Sequence, residues 1–246
     1  TDSAGRARDC AEGTQAVRDG VATAVRELGS TPLIGFGGAP FTLAAYMVEG
    51  RPSRDHMAAR ALAASDPGAW DALMSWCARV SADFITSQIE AGASAVQLFD
   101  SWVGSLSPRT YRESVALYSR MVVQRVAGAV SPVTGERAPL IHFGTGSAPI
   151  LADMAEVGAN CVGVDWKTDL SWAIAQVPGK ALQGNLDPAL LQAPWPVIEQ
   201  AVRDILDAGR SAPGHVFNLG HGVPPTTNPD VLTRIVELVH ELGDER

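Results

Sequence analysis

The sequence predicts an α/β fold, a parallel (β/α)8 TIM barrel, and three observations predict it. Six short apolar runs, at residues 33–40, 95–101, 140–146, 161–166, 181–187 and 215–222, each end in a polar or glycine-rich turn. A helix-like segment follows each run. Within the runs there is little polar alternation, the pattern of strands covered on both faces in a parallel sheet. A strand with functional groups at its C-terminal end, then a helix, repeated, is how such a barrel builds a site. The barrel closes at eight strands, so residues 1–246 are expected to form one barrel domain that is incomplete, with six of eight βα units and its first two missing. The first and last strands would then carry unpaired edges, which invite aggregation.

The helices are read from spacing and caps. Val17, Val21, Val25 and Leu28 share one face of a helix over 14–28, and Gly29 closes it. A long connection follows the first strand and contains Tyr46, Glu49 and Gly50. Asp66-Pro67 is an N-cap and a helix-starting proline, with Trp70, Leu73, Cys77, Val80 and Phe84 on the buried face and Gly92 at the end. Ser107-Pro108 opens a helix carrying Tyr111, Val115, Tyr118 and Val122. Residues 129–137 form a surface loop. Shorter helices are expected near 148–157, 169–177 and 196–208, and Asn228-Pro229 opens the last, with Val231, Ile235, Leu238 and Val239.

Composition narrows the function. Apolar content of 46% and charged content of 19% describe a globular chain. No apolar run approaches the ~18 residues of a membrane span, and the first residues have no apolar core of a secretory signal. The 3 cysteines, Cys10, Cys77 and Cys161, are scattered, which favours the cytoplasm over a disulfide framework. A net charge of -8 argues against nucleic acid and requires any anionic ligand to find a local positive site. Gly35-Phe-Gly37-Gly38 has the wrong spacing for a dinucleotide-binding turn. No His or Cys pair has metal-ligand spacing, and Ser101 lacks the glycine-flanked elbow of a nucleophilic serine.

What remains at the strand ends is Asp100, Ser101, Asp165, Asn185, Asp187, Asn218 and His221, hydrogen-bonding and acid/base groups suited to an organic ligand. Ser101, Asp165 and His221 are expected on one rim. His221, between Gly220 and Gly222, reads as functional, since glycine neighbours allow close approach of a ligand. Asp187 reads as an N-cap before Pro188, His142 as a satisfied core histidine, and Asp165 as either a cap or a partner of a backbone amide. Tyr46 fits packing as well as ligand contact.

Five segments together resemble the uroporphyrinogen decarboxylase family: residues 32–50 (through Phe-Thr-Leu-Ala-Ala-Tyr-Met-Val-Glu-Gly), 97–102 (Gln-Leu-Phe-Asp-Ser-Trp), 163–166 (Gly-Val-Asp-Trp), 183–188 (Gln-Gly-Asn-Leu-Asp-Pro) and 217–223 (Phe-Asn-Leu-Gly-His-Gly-Val). They occur in the family's order and cover about residues 30–240. The resemblance implies a cytoplasmic carboxy-lyase of haem biosynthesis. It would be a homodimer, without metal or organic cofactor and without nucleic-acid or membrane partners, converting the four acetates of uroporphyrinogen III to the methyls of coproporphyrinogen III. It implies that Tyr46, Ser101 and His221 contact substrate and that Phe99 lines the cleft. The family's arginine-bearing N-terminal segment and its pyrrole-holding aspartate are not matched, so no catalytic residue is assigned in this chain. Arg51 and Arg54 are either substitutes for that charge or solvated loop residues. Two other readings are a related corrinoid or zinc methyltransferase, and a truncated chain that binds porphyrinogen without turnover.

Overall fold

The structure, a computed structural model, describes residues 13–51 and 53–244; Cys10 lies outside them. Helix α1 (Gln15–Leu28) ends at Gly29, whose φ of 60° is the left-handed conformation glycine tolerates. Its apolar stripe is only half-buried. Strand β1 (Ile34–Gly38) runs directly into α2 (Pro40–Glu49), so the expected long connection is helical where it carries Tyr46, and Gly50 caps it with φ 63°. Helix α3 (Met57–Ser65) follows. The Asp66 carboxylate then accepts from Ala69 N at 3.0 Å and starts α4 (Pro67–Glu90). The face of α4 that reaches the core is displaced from the predicted one: Trp70, Met74, Cys77, Ala78, Ala82, Ile85 and Ile89 are buried, whereas Leu73, Val80 and Phe84 are half-buried.

After β2 (Ala95–Phe99), Ser107 caps α5 (Pro108–Ser114) by accepting from Thr110 N at 3.1 Å. The expected single helix breaks at Val115, with φ −133°, and resumes as α6 (Ala116–Val126). The remaining units are β3 (Leu140–Phe143), α7 (Leu151–Glu156), β4 (Cys161–Gly163), α8 (Leu170–Gln176), β5 (Ala181–Gln183), α9 (Trp195–Gly209), β6 (His215–Val216) and α10 (Pro229–Asp244).

The six strands among the described residues are all parallel and lie in chain order, β1 to β6. One register row crosses the whole sheet: Gly38, Phe99, Phe143, Gly163, Gln183, Val216. Alternation along each strand then divides the faces. Val96 and Leu98 point to the helices, where they join Ile85, Ile89, Met74, Tyr111 and Val122 in one apolar cluster. Gln97, Phe99, Phe143 and Gln183 point to the opposite face and line a cavity. Gly163 makes that row possible, because a Cβ there would come within 2.7 Å of the Phe143 ring.

The outer edge of β1 is not bare. Phe36 N donates to Gln88 Oε1 at 3.0 Å, Gln88 Nε2 donates to Phe36 O at 2.7 Å, and Ser81 Oγ donates to Gly38 O at 2.7 Å. Two side chains of α4 thus stand in for a neighbouring strand. Gly35 and Gly37 let α4 approach closely enough, since Cβ atoms there would meet Gln88 at 3.0 Å and Ile85 at 2.8 Å. The expectation of an open edge fails on this side for that reason.

Two predictions follow from the packing. Replacing Gln88, which is 4% exposed, by Leu strips both hydrogen bonds from Phe36 and is expected to cost about 1–3 kcal/mol, read as a lower midpoint in urea unfolding. Burial raises the thiol pKa of Cys77 to about 11 and that of Cys161 to about 12. In a Cys10→Ser background, native protein at pH 8 is therefore expected to leave a disulfide reagent unreacted, with both thiols appearing only in denaturant.

Candidate functional site

A cleft of about 430 Å³ opens at the C-terminal ends of the strands. Three of the four sequence-predicted site residues line it: Phe99, Ser101 and His221. Phe99 is fixed by edge-on contacts with Phe36 and Phe143, at 5.7 and 5.9 Å between centroids. Ser101 sits just past β2, with its backbone carbonyl held by the Thr145 hydroxyl at 2.6 Å, while its own hydroxyl makes no hydrogen bond to the described residues. His221 is exposed and stands edge-on to Trp166 at 5.4 Å. The glycine before it serves that contact: a Cβ on Gly220 would lie 2.2 Å from Trp166 N, so the close approach there is to the protein's own backbone rather than to a ligand. Tyr46 does not line this cleft. It is 48% exposed and packs edge-on against Trp102 at 5.6 Å.

The floor of the cleft holds two residues the sequence did not single out. Gln183 Nε2 donates to Gln97 Oε1 at 3.0 Å, and Gln183 Oε1 is buried without a partner. Inward-pointing glutamines in otherwise apolar strands were the available signal. Among the described residues no Lys or Arg lines this cleft.

Asp165 organises the rim. Fully buried, it accepts from Gly146 N, from Lys167 N at 3.2 Å and from the Thr168 hydroxyl at 2.8 Å. Asn185 Nδ2 closes the same turn by donating to Asp165 O at 2.8 Å and Thr168 O at 2.6 Å. Asp165 is thus a partner of backbone amides, and every bond it makes is internal. Asp187 caps the turn after it by accepting from Ala189 N at 2.9 Å.

Beneath Ser101, Asp100 and His142 are both fully buried, with His142 Nε2 and Asp100 Oδ2 3.5 Å apart. Asp100 Oδ1 accepts from the Thr42 hydroxyl at 3.2 Å, but neither imidazole nitrogen has a hydrogen bond. His142 is a core histidine, as expected, yet not a satisfied one.

A second cavity of about 380 Å³ adjoins the first, with Ser101 and Thr145 in both walls. Arg54, Arg60, Lys167 and His56 line it; Arg51 lines neither cavity. His56 is 3% exposed and holds φ 49°, strained for a residue with a side chain. A tilted ring contact with Trp102 at 4.9 Å and an edge-on one with Phe41 at 6.2 Å keep it there. Ser105 gives its hydroxyl proton to Trp102 O at 2.9 Å, so His56 Nδ1 donates to Ser105 Oγ at 3.2 Å and Nε2 is left without a partner. Burial holds the His56 pKa below its ordinary 6.5 despite nearby Glu49 and Asp55, with Arg60 acting in the same direction as burial. Among the described residues no three His, Cys, Asp or Glu side chains gather as a metal site.

Comparison with known proteins places this geometry. The family model described as "Uroporphyrinogen decarboxylase (URO-D)" matches residues 4–242. The chain belongs to the uroporphyrinogen decarboxylase family. A relative from Arthrobacter sp. (strain FB24) named uroporphyrinogen decarboxylase is 54% identical over 235 residues, covering 95% of this chain and 66% of its own length. One of the same name from Salinispora tropica is 56% identical over 227 residues, covering 92% and 59%. The chain therefore spans about three-fifths to two-thirds of the curated relatives it matches. A solved methyltransferase from Methanosarcina mazei superposes with a TM-score of 0.77 at 19% identity, covering 92% of this chain and 64% of its own, a likeness of fold.

The buried His56 gives a pH prediction. Its pKa is lower folded than unfolded, so the unfolded chain binds the proton first. The stability it contributes is complete above about pH 6.5 and is lost as pH falls through the folded value. Unfolding midpoints measured from pH 7.5 to 5 are expected to decline on acidification, and His56→Gln should flatten that part of the slope.

Proposed function

We propose that this chain belongs to a cofactor-free decarboxylase that converts the acetates of uroporphyrinogen III to methyl groups. The observation that carries the reading is the meeting of Ser101, Phe99 and His221 on one cleft at the strand ends. Each step replaces R–CH2–CO2⁻ plus a proton by R–CH3 plus CO2. The electron pair of the breaking C–C bond must pass into a protonated pyrrole before the exocyclic carbon takes up a proton. In that scheme Phe99 and Phe143 give an apolar face for the tetrapyrrole, while the Ser101 hydroxyl and His221 hold carboxylate arms. Gln97 and Gln183 present amide groups to the ring nitrogens from the floor. Tyr46 acts from outside the cleft wall, through Trp102.

These residues bind and orient. They carry no fixed negative charge beneath the pyrrole nitrogens, and the carboxylates nearest the cleft, Asp100 and Asp165, are buried in internal contacts. We place the remaining charge, and the two further βα units that complete an eight-stranded barrel, in a segment corresponding to the N-terminal third of the relatives. Residues 1–246 then form the greater part of a single barrel domain of a cytoplasmic homodimer.

The test is CO2 release from uroporphyrinogen III by the 246-residue chain and by the same chain preceded by the N-terminal third of the Arthrobacter relative. Removal of one preorganised charge commonly costs ~10²–10³ in rate. The chain alone is expected to fall at least that far below the extended one, in which His221→Ala should raise KM. Equal rates for the two would refute the division of labour, and no decarboxylation by either would refute the reading.

A further inference from the structure

We infer that the second cavity is an anion subsite, which takes a carboxylate arm of a ligand whose body lies in the first cleft. The inference rests on the polycarboxylate reading above and gives such a ligand a second point of attachment.

Among the described residues three cations line the cavity against one acid, Asp55, in a chain whose net charge is -8. Arg54, Arg60 and Lys167 have no carboxylate within 4.0 Å among the described residues. Arg60 touches only a neutral group, donating to Asp55 O at 3.3 Å, and the Lys167 ammonium sits 4.9 Å from the centre of the Trp166 ring. Nearby acids are engaged elsewhere. Glu49 Oε1 accepts from Ala58 N and Ala59 N at 2.9 and 3.2 Å, and Asp165 accepts from Gly146 N, Lys167 N and the Thr168 hydroxyl. The lining therefore keeps an excess of positive charge on a concave wall, the condition in which guanidinium forks bind carboxylates.

The wall is built rather than accidental. Gly146 and Lys167 both line the cavity, and both backbone amides are tied to the buried Asp165. Gly104 admits the β3 loop, since a Cβ there would lie 2.3 Å from Thr145 O. The first cleft, in contrast, has aromatic, amide and hydroxyl groups in its walls and, among the described residues, no Lys or Arg. A ligand with a ring body and anionic arms finds the two halves of its chemistry on either side of Ser101.

The experiment titrates the chain with uroporphyrin III, a fluorescent octacarboxylate, at several salt concentrations, and separately with inorganic phosphate. Arg54→Gln/Arg60→Gln/Lys167→Gln is expected to bind uroporphyrin about tenfold more weakly, with a flatter salt dependence. Arg54→Lys/Arg60→Lys should keep most of the affinity, and all three side chains are exposed, so both variants should melt like the parent. Unchanged affinity and salt slope in the triple variant, with Ser101→Ala weakening binding, would overturn the subsite and leave the polycarboxylate reading standing. If the parent binds no uroporphyrin but holds phosphate through these three residues, the polycarboxylate reading fails and the anion site stands. Binding of neither probe overturns the subsite.

Discussion

The buried carboxylate of Asp165 is the contact on which the site depends. A carboxyl group with no exposure to water is tolerable only when it is hydrogen-bonded, and here three donors reach it, from Gly146, Lys167 and Thr168. Those partners belong to two successive strand-end loops. One desolvated group therefore fixes the loop after β3 against the loop after β4, and Asn185 adds the loop after β5. Trp166, in the middle of that turn, supplies the surface on which His221 rests. The geometry of the rim is consequently set from beneath, by a group that touches no ligand.

Beneath Ser101 the polar packing is looser. Asp100 and His142 lie 3.5 Å apart with unfilled positions on both, in a region as dry as the apolar core. Tyr111, also buried with an unpartnered hydroxyl, has its pKa raised well above the ordinary value by burial and then by Asp100. The contrast with the saturated Asp165 shell is energetic: unfilled buried polar atoms cost stability, and this chain carries a group of them directly under the wall of its cleft.

Much of this was legible in the sequence. Strand order, parallel sense and the meeting of Ser101 with His221 follow from one repeated pattern, because a strand's end and the loop after it must lie on the same side of a parallel sheet. Local caps were equally readable: Asp66, Ser107 and Asp187 each bond an amide within three residues of themselves. What was not readable depends on contacts across the chain. Gly220 looked like an accommodation for a ligand but accommodates Trp166, some fifty residues away. Tyr46 lies in α2 and packs on Trp102 without lining the cleft. His56 sits in a polar, irregular stretch, and only tertiary packing reveals that its ring is buried between Phe41 and Trp102. The Gln97–Gln183 pair needed the register of four strands before either residue could be seen to face the other.

The Gln88 side chain on the edge of β1 carries one further consequence. Its amide occupies one N–H and one C=O of Phe36, the same two groups a neighbouring strand would use. An incoming strand must therefore exchange places with Gln88, trading two hydrogen bonds for two of the same kind. The exchange is close to neutral in hydrogen bonding, and it releases a long side chain from a single rotamer. The arrangement acts as a placeholder: it denies the edge to a chance partner that offers only backbone, and yields it to one that also brings apolar surface to cover the exposed Ile34 and Phe36.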